Sequence, residues 1–509
     1  MASPSDKPDY DTVVAENAAL KARLGTLEHQ LDWFKRQLFG ERSEKRVLTD
    51  EAYGQQRLGF EEAAAETAAE PATETISYAR RKGKDRGNAV NDTGLRFDDD
   101  VPQRVIDVPA AADGEVVDVH TTCRLAQRPA SYEVLVYRQP VVKDAEQDTV
   151  TTTAAPANVF EGSCFDVSFA AGVMVDKFCF HLPLYRQHQR LSQAGIQVAR
   201  SSLTNVVERA AALLTPIAEA QLENALSGRV LAMDETPIKA GRKSKGRLQQ
   251  AYFWPVYGEA NEICFTYART RGKAQIERLL GERFSGTLLT DGYAAYAKYA
   301  AGKPTITHAQ CWSHARRGFE RARGSDPAAD EALDQIAAIY RIDNALRDQD
   351  ADTRHQARLD QAQPVVRAFW RWCDDQLRRH DLEPNHPLAK ALGYVLERTS
   401  ALEVFLADPE VPIDTNHLER GLRPIPMGRR NWLFCWSELG AEWVATIQSL
   451  LVTCRLQGVD PYTYLVDVLQ RVGDHPASEV IELTPRRWKQ RFAANPLRSD
   501  VDRATSPTT

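Results

Sequence analysis

The chain has 509 residues, of which 43% are hydrophobic and 26% are charged, and its formal net charge is −6. A chain of this length forms several domains, and because it is mildly acidic overall, any surface that binds nucleic acid has to be local. It contains no run of about 18 apolar residues and no signal-peptide core, which excludes a membrane-spanning protein. Its eight cysteines include no Cys-x-x-Cys pair, which indicates reduced thiols. We therefore expect no membrane partner and a cytoplasmic location, associated with the nucleoid if the protein is bacterial.

Residues 10–47 are predicted to form a leucine-zipper-like coiled coil. From Val13 to Leu38, apolar residues recur at alternating steps of four and three, which is the seam of a heptad repeat. Asn17 occupies an a position of this seam, where asparagine fixes the register and favours a parallel dimer. The alternative is an amphipathic helix packed on its own chain. The residues expected to mediate homo-oligomerisation are Asn17, Leu20, Leu24, Leu27 and Leu31.

Residues 48–100 have the composition of a disordered linker. An Ala/Glu-rich stretch precedes a basic cluster from Arg80 to Arg86, and acidic residues 98–100 follow. Low hydrophobicity and charge in blocks are typical of disordered segments. A contact between the basic cluster and a phosphate backbone is the alternative.

Two small regions follow the linker. Residues 101–170 alternate apolar and polar side chains, which predicts a small β module. Residues 171–225 are predicted to be helical, with one helix over Leu184–Gln193 and a second over Ser202–Leu214, joined across Gly195. This pattern fits a helix-turn-helix whose second helix enters the major groove of DNA. Any helical hairpin gives the same pattern, so both interpretations stay open.

The next regions alternate between strands and helices. Residues 226–320 contain a run of predicted strands, the first ending at Asp234 and the fourth at Asp291. Charged residues almost never enter a buried strand unpaired, so each of these aspartates needs a partner, for which a metal ion is the usual choice. Residues 321–410 are predicted to be an all-helical insertion. Residues 411–456 return to the core, and residues 457–495 form a C-terminal helical region.

One carboxylate, Glu419, lies among several arginines in the stretch from Asp414 to Phe434. Asp414, Thr415 and Asn416 are all good N-cap residues, so a helix is predicted to begin there with Glu419 in its first turn. Arg423 lies four residues on, which is the spacing of a helical ion pair, and Pro424 is expected to end the helix. A capped surface helix with an ordinary ion pair is the alternative.

Two adjacent strands and a helix packed across them would bring Asp234, Asp291 and Glu419 to one point. Three such carboxylates raise each other's pKa unless divalent cations neutralise them. Oxygen ligands suit Mg²⁺ or Mn²⁺, and two such ions about 4 Å apart support in-line phosphoryl transfer. Glu235 would point to the opposite face of a continuing strand, so it is not expected to be a ligand.

Short motifs occur in the order found in one family. They include Leu31-Asp-Trp-Phe-Lys-Arg-Gln-Leu-Phe-Gly, Met233-Asp-Glu-Thr-Pro, Thr290-Asp-Gly-Tyr-Ala-Ala-Tyr, Cys311-Trp-Ser-His-Ala-Arg-Arg, Asn416-His-Leu-Glu-Arg-Gly-Leu-Arg and Gly428-Arg-Arg-Asn-Trp-Leu-Phe. Over nearly its whole length the chain resembles the insertion-sequence-66 family of DDE transposases. The resemblance implies an α+β multidomain fold with an N-terminal coiled coil, a DNA-binding region and an RNase H-like α/β core with a mixed sheet and an all-α insertion.

The resemblance also implies an activity and a site. It assigns catalysis and metal binding to Asp234, Asp291 and Glu419, in metal-dependent cleavage and strand transfer at the ends of an insertion sequence. The implied partners are the terminal repeats of the element, target DNA and accessory proteins of the same element. An RNase H-like nuclease without strand transfer, and an inactive DNA-binding derivative of a transposase, are the alternatives.

Zinc is not expected. Family members usually carry a Cys-x-x-Cys zinc module after the zipper, whereas the corresponding region here has only Cys123 and Cys164. His308, Cys311 and His314 offer three zinc ligands at suitable spacing, but no fourth ligand is apparent. We expect these three residues to pack or to position the site instead.

Several basic and aromatic residues are candidates for binding DNA. Arginine matches phosphate with two parallel hydrogen bonds, and an aromatic side chain can stack on a splayed base. For Arg316 and Arg317 a solvated helix face is an equal alternative, and Trp432 can equally pack in a core. The predicted DNA contacts are Arg316, Arg317, Arg423, Arg429, Arg430 and Trp432.

Overall fold

The computed structural model describes residues 96–97, 101–109, 115–128, 131–144, 149–244, 247–429, 435 and 437–503. All of these lie in one compact unit, Lys84–Thr509. The predicted coiled coil over residues 10–47, with Asn17, Leu20, Leu24, Leu27 and Leu31, lies outside the described residues, as does nearly all of the predicted linker. Arg430 and Trp432 also lie outside them, so these assignments stay predictions.

The first part of the described chain is a four-stranded sheet built around one long strand. Its strands, together with the short strand that precedes them, are β1 (Arg96–Phe97), β2 (Gln103–Asp107), β3 (Glu115–Arg128), β4 (Ser131–Asp144) and β5 (Thr149–Thr152). Strand β4 pairs with β3 and β5 in antiparallel orientation and with β2 in parallel orientation. Val134 and Val136 face the main core, whereas Leu135 and Tyr137 pack with Val501 near the C-terminus. Both faces of β4 are therefore covered.

Helices connect this sheet to the rest of the molecule. They are α1 (Val167–Phe178), α2 (Leu184–Gln193) and α3 (Arg200–Leu226), with the short strand β6 (Ile196–Gln197) pairing with β1 between the last two. Helix α3 is 27 residues long, and its predicted portion is only the N-terminal half. From Arg200 to Ala211 every side chain is buried or half-buried, which leaves little of the surface that a recognition helix presents to bases. The helix-turn-helix interpretation stays a prediction.

A mixed six-stranded sheet forms the centre of the fold. Its strands and two intervening helices are β7 (Val230–Met233), β8 (Thr236–Ser244), β9 (Arg247–Gly258), β10 (Glu262–Ala268), α4 (Lys273–Leu280), β11 (Gly286–Thr290), α5 (Ala294–Ala300) and β12 (Ile306–Gln310). The strand order is β10-β9-β7-β11-β12, and β8 pairs with β9. Pairing is antiparallel among β7, β8, β9 and β10 and parallel from β7 through β11 to β12.

Strand β7 is buried on both faces because its side chains alternate between two cores. Val230 and Ala232 face one core, and Leu231 faces the other together with Met233. A strand buried in this way reads as a continuous apolar run, and the first polar side chain after it is Asp234.

Residues 312–407 are mostly helical. The elements are α6 (Trp312–Ala322), α7 (Ala328–Ala345), α8 (Ala351–Ala357), a π-helical turn (Arg358–Ala362), α9 (Gln363–Leu377), α10 (Pro387–Leu396) and α11 (Thr399–Ala407). Trp312 is fully buried, stacks on Trp370 with ring centroids 5.4 Å apart and donates a hydrogen bond of 2.8 Å to the carbonyl of Leu402. The start of α6, which directly follows β12, is therefore anchored in the helical region.

The chain then returns to the sheet. The elements are α12 (Asn416–Leu422), α13 (Pro424–Gly428), α14 (Glu438–Leu456), α15 (Pro461–Arg471), a 3₁₀ helix (Ala477–Leu483), α16 (Pro485–Arg491) and α17 (Asp500–Arg503). The described residues form a mixed α/β fold, and none of their helices is both long enough and apolar enough to cross a membrane.

Helix α14 closes the edge of the central sheet. The amide of Phe265 on edge strand β10 donates to Ser449 Oγ (2.8 Å), and the amide of Ile263 donates to Thr453 Oγ1 (3.1 Å). Gln221 on α3 donates to the carbonyl of Ile263 at 2.9 Å. Buried backbone groups need partners, and here side chains supply what another strand would otherwise supply.

We predict that Gly292→Ala destabilises the protein. A Cβ atom at Gly292 would lie 2.3 Å from the hydroxyl oxygen of Tyr394 on α10. Overpacking of this kind costs about 1–3 kcal/mol, which urea unfolding followed by circular dichroism would measure. Tyr394→Ala in the same chain should remove most of the cost.

Gly393→Ala is the matched control, because a Cβ atom there meets nothing within 4 Å. Because Gly393 lies inside a helix, we expect this substitution to raise the free energy of unfolding by about 0.5–1 kcal/mol. Equal effects of the two alanines would show that the helical region does not press on residue 292.

Candidate active site

Asp234 and Asp291 leave the same edge of the central sheet. Asp234 directly follows β7, and Asp291 directly follows β11, the parallel neighbour in which Leu289 lies opposite Ala232. Asp234 Oδ1 accepts a hydrogen bond from the amide of Glu235 (2.7 Å). Asp291 Oδ1 accepts one from the amide of Tyr293 (2.9 Å). These local bonds orient both carboxylates where the strands end.

Glu419 lies in the first turn of α12, as the sequence predicted. The helix begins at Asn416, and Asp414 Oδ1 accepts from the amide of Asn416 at 2.9 Å. Thr415, at the N-cap position, instead turns its amide and its hydroxyl toward Cys311 Sγ, each at 3.2 Å. The capping stretch is thus held against the start of α6.

The structure brings the three acids into electrostatic contact. Burial raises the pKa of Asp234 to about 7, and the negative charges of Glu235, Asp291 and Glu419 add to this increase. The hydrogen bond from the backbone amide of Glu235 lowers the pKa of Asp234 and so opposes this increase. A carboxyl with this pKa is half protonated near neutral pH, so a cation that binds there competes with a proton.

The donors fit a hard divalent cation, but the acids do not close around a single ion. Among the described residues, the one group of three His, Cys, Asp or Glu side chains with ligand atoms all within 4.8 Å is His475, Glu479 and Glu482. The three acids at the sheet edge are therefore spread more widely. Mg²⁺ holds oxygen ligands at about 2.1 Å, so ligands of one ion lie within about 4.2 Å of each other. The carboxylate oxygens of the three acids therefore lie farther apart than the ligands of one such ion.

Glu235 is a fourth acid, and the structure gives it internal partners. Its side chain is 2% exposed and forms an ion pair with Arg271, whose Nε donates to Oε1 at 2.6 Å. Tyr296 on α5 donates to Oε2 at 2.8 Å. The guanidinium of Arg271 also stacks over the ring of Tyr293 at 3.9 Å. Glu235 thus holds the segments around α4 and α5 beside Asp234, and the sequence alone assigned it no such role.

Among the described residues, the cation nearest to Glu419 lies on α6, not on the helix that carries Glu419. Arg317 Nη2 on α6 lies 3.3 Å from Glu419 Oε1, and His314 Nε2 lies 4.0 Å from the same oxygen. The ion pair that the spacing of Glu419 and Arg423 indicated does not form: Arg423 is exposed at the junction of α12 and α13, and no described carboxylate lies within 4.0 Å of its nitrogens. Tertiary packing of α6 overrides the helical spacing.

Helix α12 ends just before Pro424, as expected, with Arg423 as its C-cap residue, and Pro424 then opens a second short helix. This proline occupies the first position of α13, where the missing amide hydrogen costs nothing. The amide of Met427 donates to the carbonyl of Arg423 at 3.2 Å, so the backbone continues in helical turns.

The other predicted DNA contacts differ in their surroundings. Arg316 forms an ion pair with Glu320 at 2.6 Å on the outer face of α6. Arg429 Nη1 donates to the carbonyl of Pro237 at 2.7 Å, which ties the end of α13 to β8. Arg317 faces Glu419, and Arg423 is exposed.

His308 and Cys311 make hydrogen bonds inside the fold, whereas His314 lies beside Glu419 and its buried Nδ1 has no hydrogen-bond partner among the described residues. His308 Nε2 and Thr290 Oγ1 share a hydrogen bond of 2.9 Å, and burial lowers the pKa of His308 to about 4. Burial raises the pKa of the Cys311 thiol, and its sulfur accepts the two bonds from Thr415. His308 and Cys311 fasten β12 and α6 to β11 and to the start of α12, which positions Glu419.

Comparison with known families decides where the chain belongs. The profile described as "Transposase IS66 family" matches residues 162–443, which is more than half of the chain. The chain belongs to this family. The resemblance drawn from the short motifs is therefore confirmed.

Two further profiles match this IS66-family chain. "IS66 C-terminal element" matches residues 449–486, and "Transposase C of IS166 homeodomain" matches residues 26–106. The second match covers part of the predicted coiled coil and all of the predicted linker over residues 48–100. That stretch is therefore similar to a homeodomain region of the family.

Relatives with similar sequences occur in Sinorhizobium fredii. "Uncharacterized protein y4qI" is 31% identical over 383 residues, which cover 72% of this chain and 70% of that protein. "Uncharacterized protein y4hP" is 27% identical over 504 residues, which cover 92% of this chain and 89% of that protein.

We predict that Asp234→Asn stabilises the metal-free protein near neutral pH. The carboxyl has a pKa of 3.8 when unperturbed and about 7 in the folded chain. Between these values the folded state holds more protons than the unfolded state, so the stability of the wild type falls as pH rises from about 4 to about 7. Asparagine does not titrate, so the stability of the variant does not fall with pH for this reason.

Thermal melting in EDTA from pH 4 to 8 would measure the difference. For a compact unit of this size we expect the melting temperature of the variant to rise relative to that of the wild type by about 1 °C for each kcal/mol of burial and repulsion that the substitution relieves. With Mn²⁺ in place of EDTA, we expect a larger rise in melting temperature for the wild type than for the variant. Asp352→Asn, on the exposed face of α8, is the control. Parallel pH profiles of wild type and Asp234→Asn would contradict the prediction.

Proposed function

We propose that this chain is a DNA transposase that catalyses metal-dependent strand cleavage and strand transfer at the ends of an insertion sequence. The observation that carries the proposal is the meeting of Asp234, Asp291 and Glu419 at one edge of the central sheet, in a chain of the IS66 family. The raised pKa of Asp234 marks a place where negative charge is costly without a cation. The mixed sheet, with Glu419 arriving after a helical region, supports an RNase H-like core.

In this proposal the three acids hold Mg²⁺ or Mn²⁺. When bound, such ions neutralise the carboxylates, activate the attacking hydroxyl or water and stabilise the leaving oxygen of the phosphodiester. The hydrogen bonds from the amides of Glu235 and Tyr293 keep two of the acids oriented before any ion arrives. Glu235 accepts hydrogen bonds from Arg271 and Tyr296, so in this proposal it holds the segments beside Asp234 and is not a ligand.

Arg317 is placed to bind a phosphate of the substrate. In the metal-free chain it balances the charge of Glu419, with its side chain still 44% exposed. Cations bound to the acids would remove the need for this balance, and a DNA phosphate would then be the next anion within reach. Arginine suits that exchange because its planar fork matches phosphate oxygens.

The expected partners follow from the same assignment. They are the terminal repeats of the element and target DNA, with the homeodomain-like region over residues 26–106 as one source of DNA binding. Self-association through the zipper-like residues 10–47, helper proteins from the same element and a nucleoid-associated cytoplasmic location are parts of the proposal that rest on the sequence pattern and the family.

The first test is cleavage and joining on a labelled oligonucleotide that carries the end of the encoding element, with Mg²⁺ or Mn²⁺. We expect Glu419→Gln and Asp234→Ala each to lower both reactions by at least about 100-fold, as loss of a catalytic group does. Glu277→Gln, an exposed acid paired with Lys273 on α4, should leave both unchanged.

Three outcomes would redirect the assignment. Joining that persists in Asp234→Ala would overturn the role of this acid. Cleavage without joined product would favour an RNase H-like nuclease. Binding without cleavage by the wild type would favour an inactive DNA-binding derivative or a missing accessory protein.

A further inference from the structure

We propose that the β8–β9 hairpin (Thr236–Gln250) binds the phosphate backbone of DNA and guides the strand toward Asp234. This inference rests on the proposed function. The hairpin sequence contains five basic residues and no acidic residue, in a chain whose net charge is −6. The basic residues are Lys239, Arg242, Lys243, Lys245 and Arg247.

The hairpin begins beside the candidate active site. Strand β8 starts at Thr236, two residues after Asp234. Along β8, Ile238 and Ala240 are buried, so Lys239 between them points outward and is exposed. Lys239 lies opposite Gln250 of β9, which is also exposed, so one polar face continues across both strands.

Three basic side chains of this hairpin, among those that the structure describes, lack the ion pairs found around them. Nearby Arg269 pairs with Glu438 at 2.6 Å, and Arg271 pairs with Glu235. Lys239, Arg242 and Arg247 are exposed, and no described carboxylate lies within 4.0 Å of their nitrogens. Positive charge without an internal partner is what sequence-independent contact with DNA requires.

Two irregularities fix the hairpin in place. The register between β8 and β9 shifts on both sides of Arg242, and such bulges re-aim side chains. Gly241 has φ +71°, a left-handed conformation that suits glycine, and its amide donates to the carbonyl of Cys435 at 3.2 Å. Arg429 binds the carbonyl of Pro237 at the start of β8. The hairpin is thus tied to the segment that follows Glu419.

Protection of a sheet edge accounts for only part of the charge pattern. Charged side chains on an edge strand, lysine above all, prevent pairing with other molecules. Two of the five basic residues, Arg242 and Arg247, are arginines, whose planar guanidinium groups match phosphate oxygens. All five charges here are positive, on elements adjoining a site proposed to act on a polyanion. DNA phosphate therefore fits the hairpin better than a protein partner.

Binding to a duplex of arbitrary sequence, measured by fluorescence anisotropy in EDTA at several salt concentrations, tests the inference. Phosphate contacts are independent of sequence, so the terminal repeats need not be known. Replacing Lys239, Arg242 and Arg247 together by glutamine should lower the slope of log K against log salt by about 1 for each lost contact, or about 3 in total.

The matched control replaces Arg341, Arg367 and Arg371 by glutamine. These arginines are exposed on α7 and α9 and carry the same total charge. We expect the control to keep the slope of the wild type within about 1. Thermal melting of both triple variants near the wild-type temperature would show that each is folded.

The outcomes separate the two proposals. An unchanged slope in the hairpin variant, with normal binding by the wild type, would overturn the hairpin inference and leave the proposed function standing. Equal losses in both triple variants would also overturn it, because net charge alone would then explain the effect. A wild type that binds no DNA would overturn the hairpin inference and count against the transposase assignment as well.

Discussion

The parallel pairing of β7 with β11 is the constraint on which the rest of the structure depends. Both strands are buried, so the chain can place a charge only where they end, and parallel strands end at the same edge. Asp234 and Asp291 are consequently held close together, and burial with mutual repulsion raises the pKa of Asp234 to about 7. Ionisation of Asp234 at this edge therefore costs free energy. The buried contacts of Glu235 with Arg271 and Tyr296 stabilise the segments next to it.

Glu419 follows Asp291 by more than a hundred residues, so only tertiary contacts can place it at the same edge of the sheet. Contacts at both ends of the helical region do this. Trp312 anchors the start of that region, and Cys311 receives the hydrogen bonds of Thr415 at its return. Helix α14 then covers edge strand β10 with Ser449 and Thr453, so the sheet that carries the aspartates has no open edge there.

Local patterns predicted much of this arrangement. Apolar runs ending in Asp234 and Asp291, the capping residues before Glu419 and the ordered motifs were sufficient to identify the strands, the helix start and the family. Local patterns were a poor guide to charge pairing. The spacing of Glu419 and Arg423 indicated an ion pair, but α6 presents Arg317 instead. The alternation rule set Glu235 apart from Asp234, but it could not reveal that Arg271 and Tyr296 bind the Glu235 carboxylate.

The sequence by itself determined where Asp234, Asp291 and Glu419 lie relative to the strands and the helix, because burial of an apolar strand and capping of a helix depend on residues close together in the chain. It also determined the family, because the motifs keep their order along the chain. Only the tertiary structure decided which charges meet, since Arg271, Arg317 and Arg429 reach partners on other elements. The strand order was likewise decided there: hydrogen bonds between strands distant in sequence depend on how the whole sheet packs, and no local pattern encodes them.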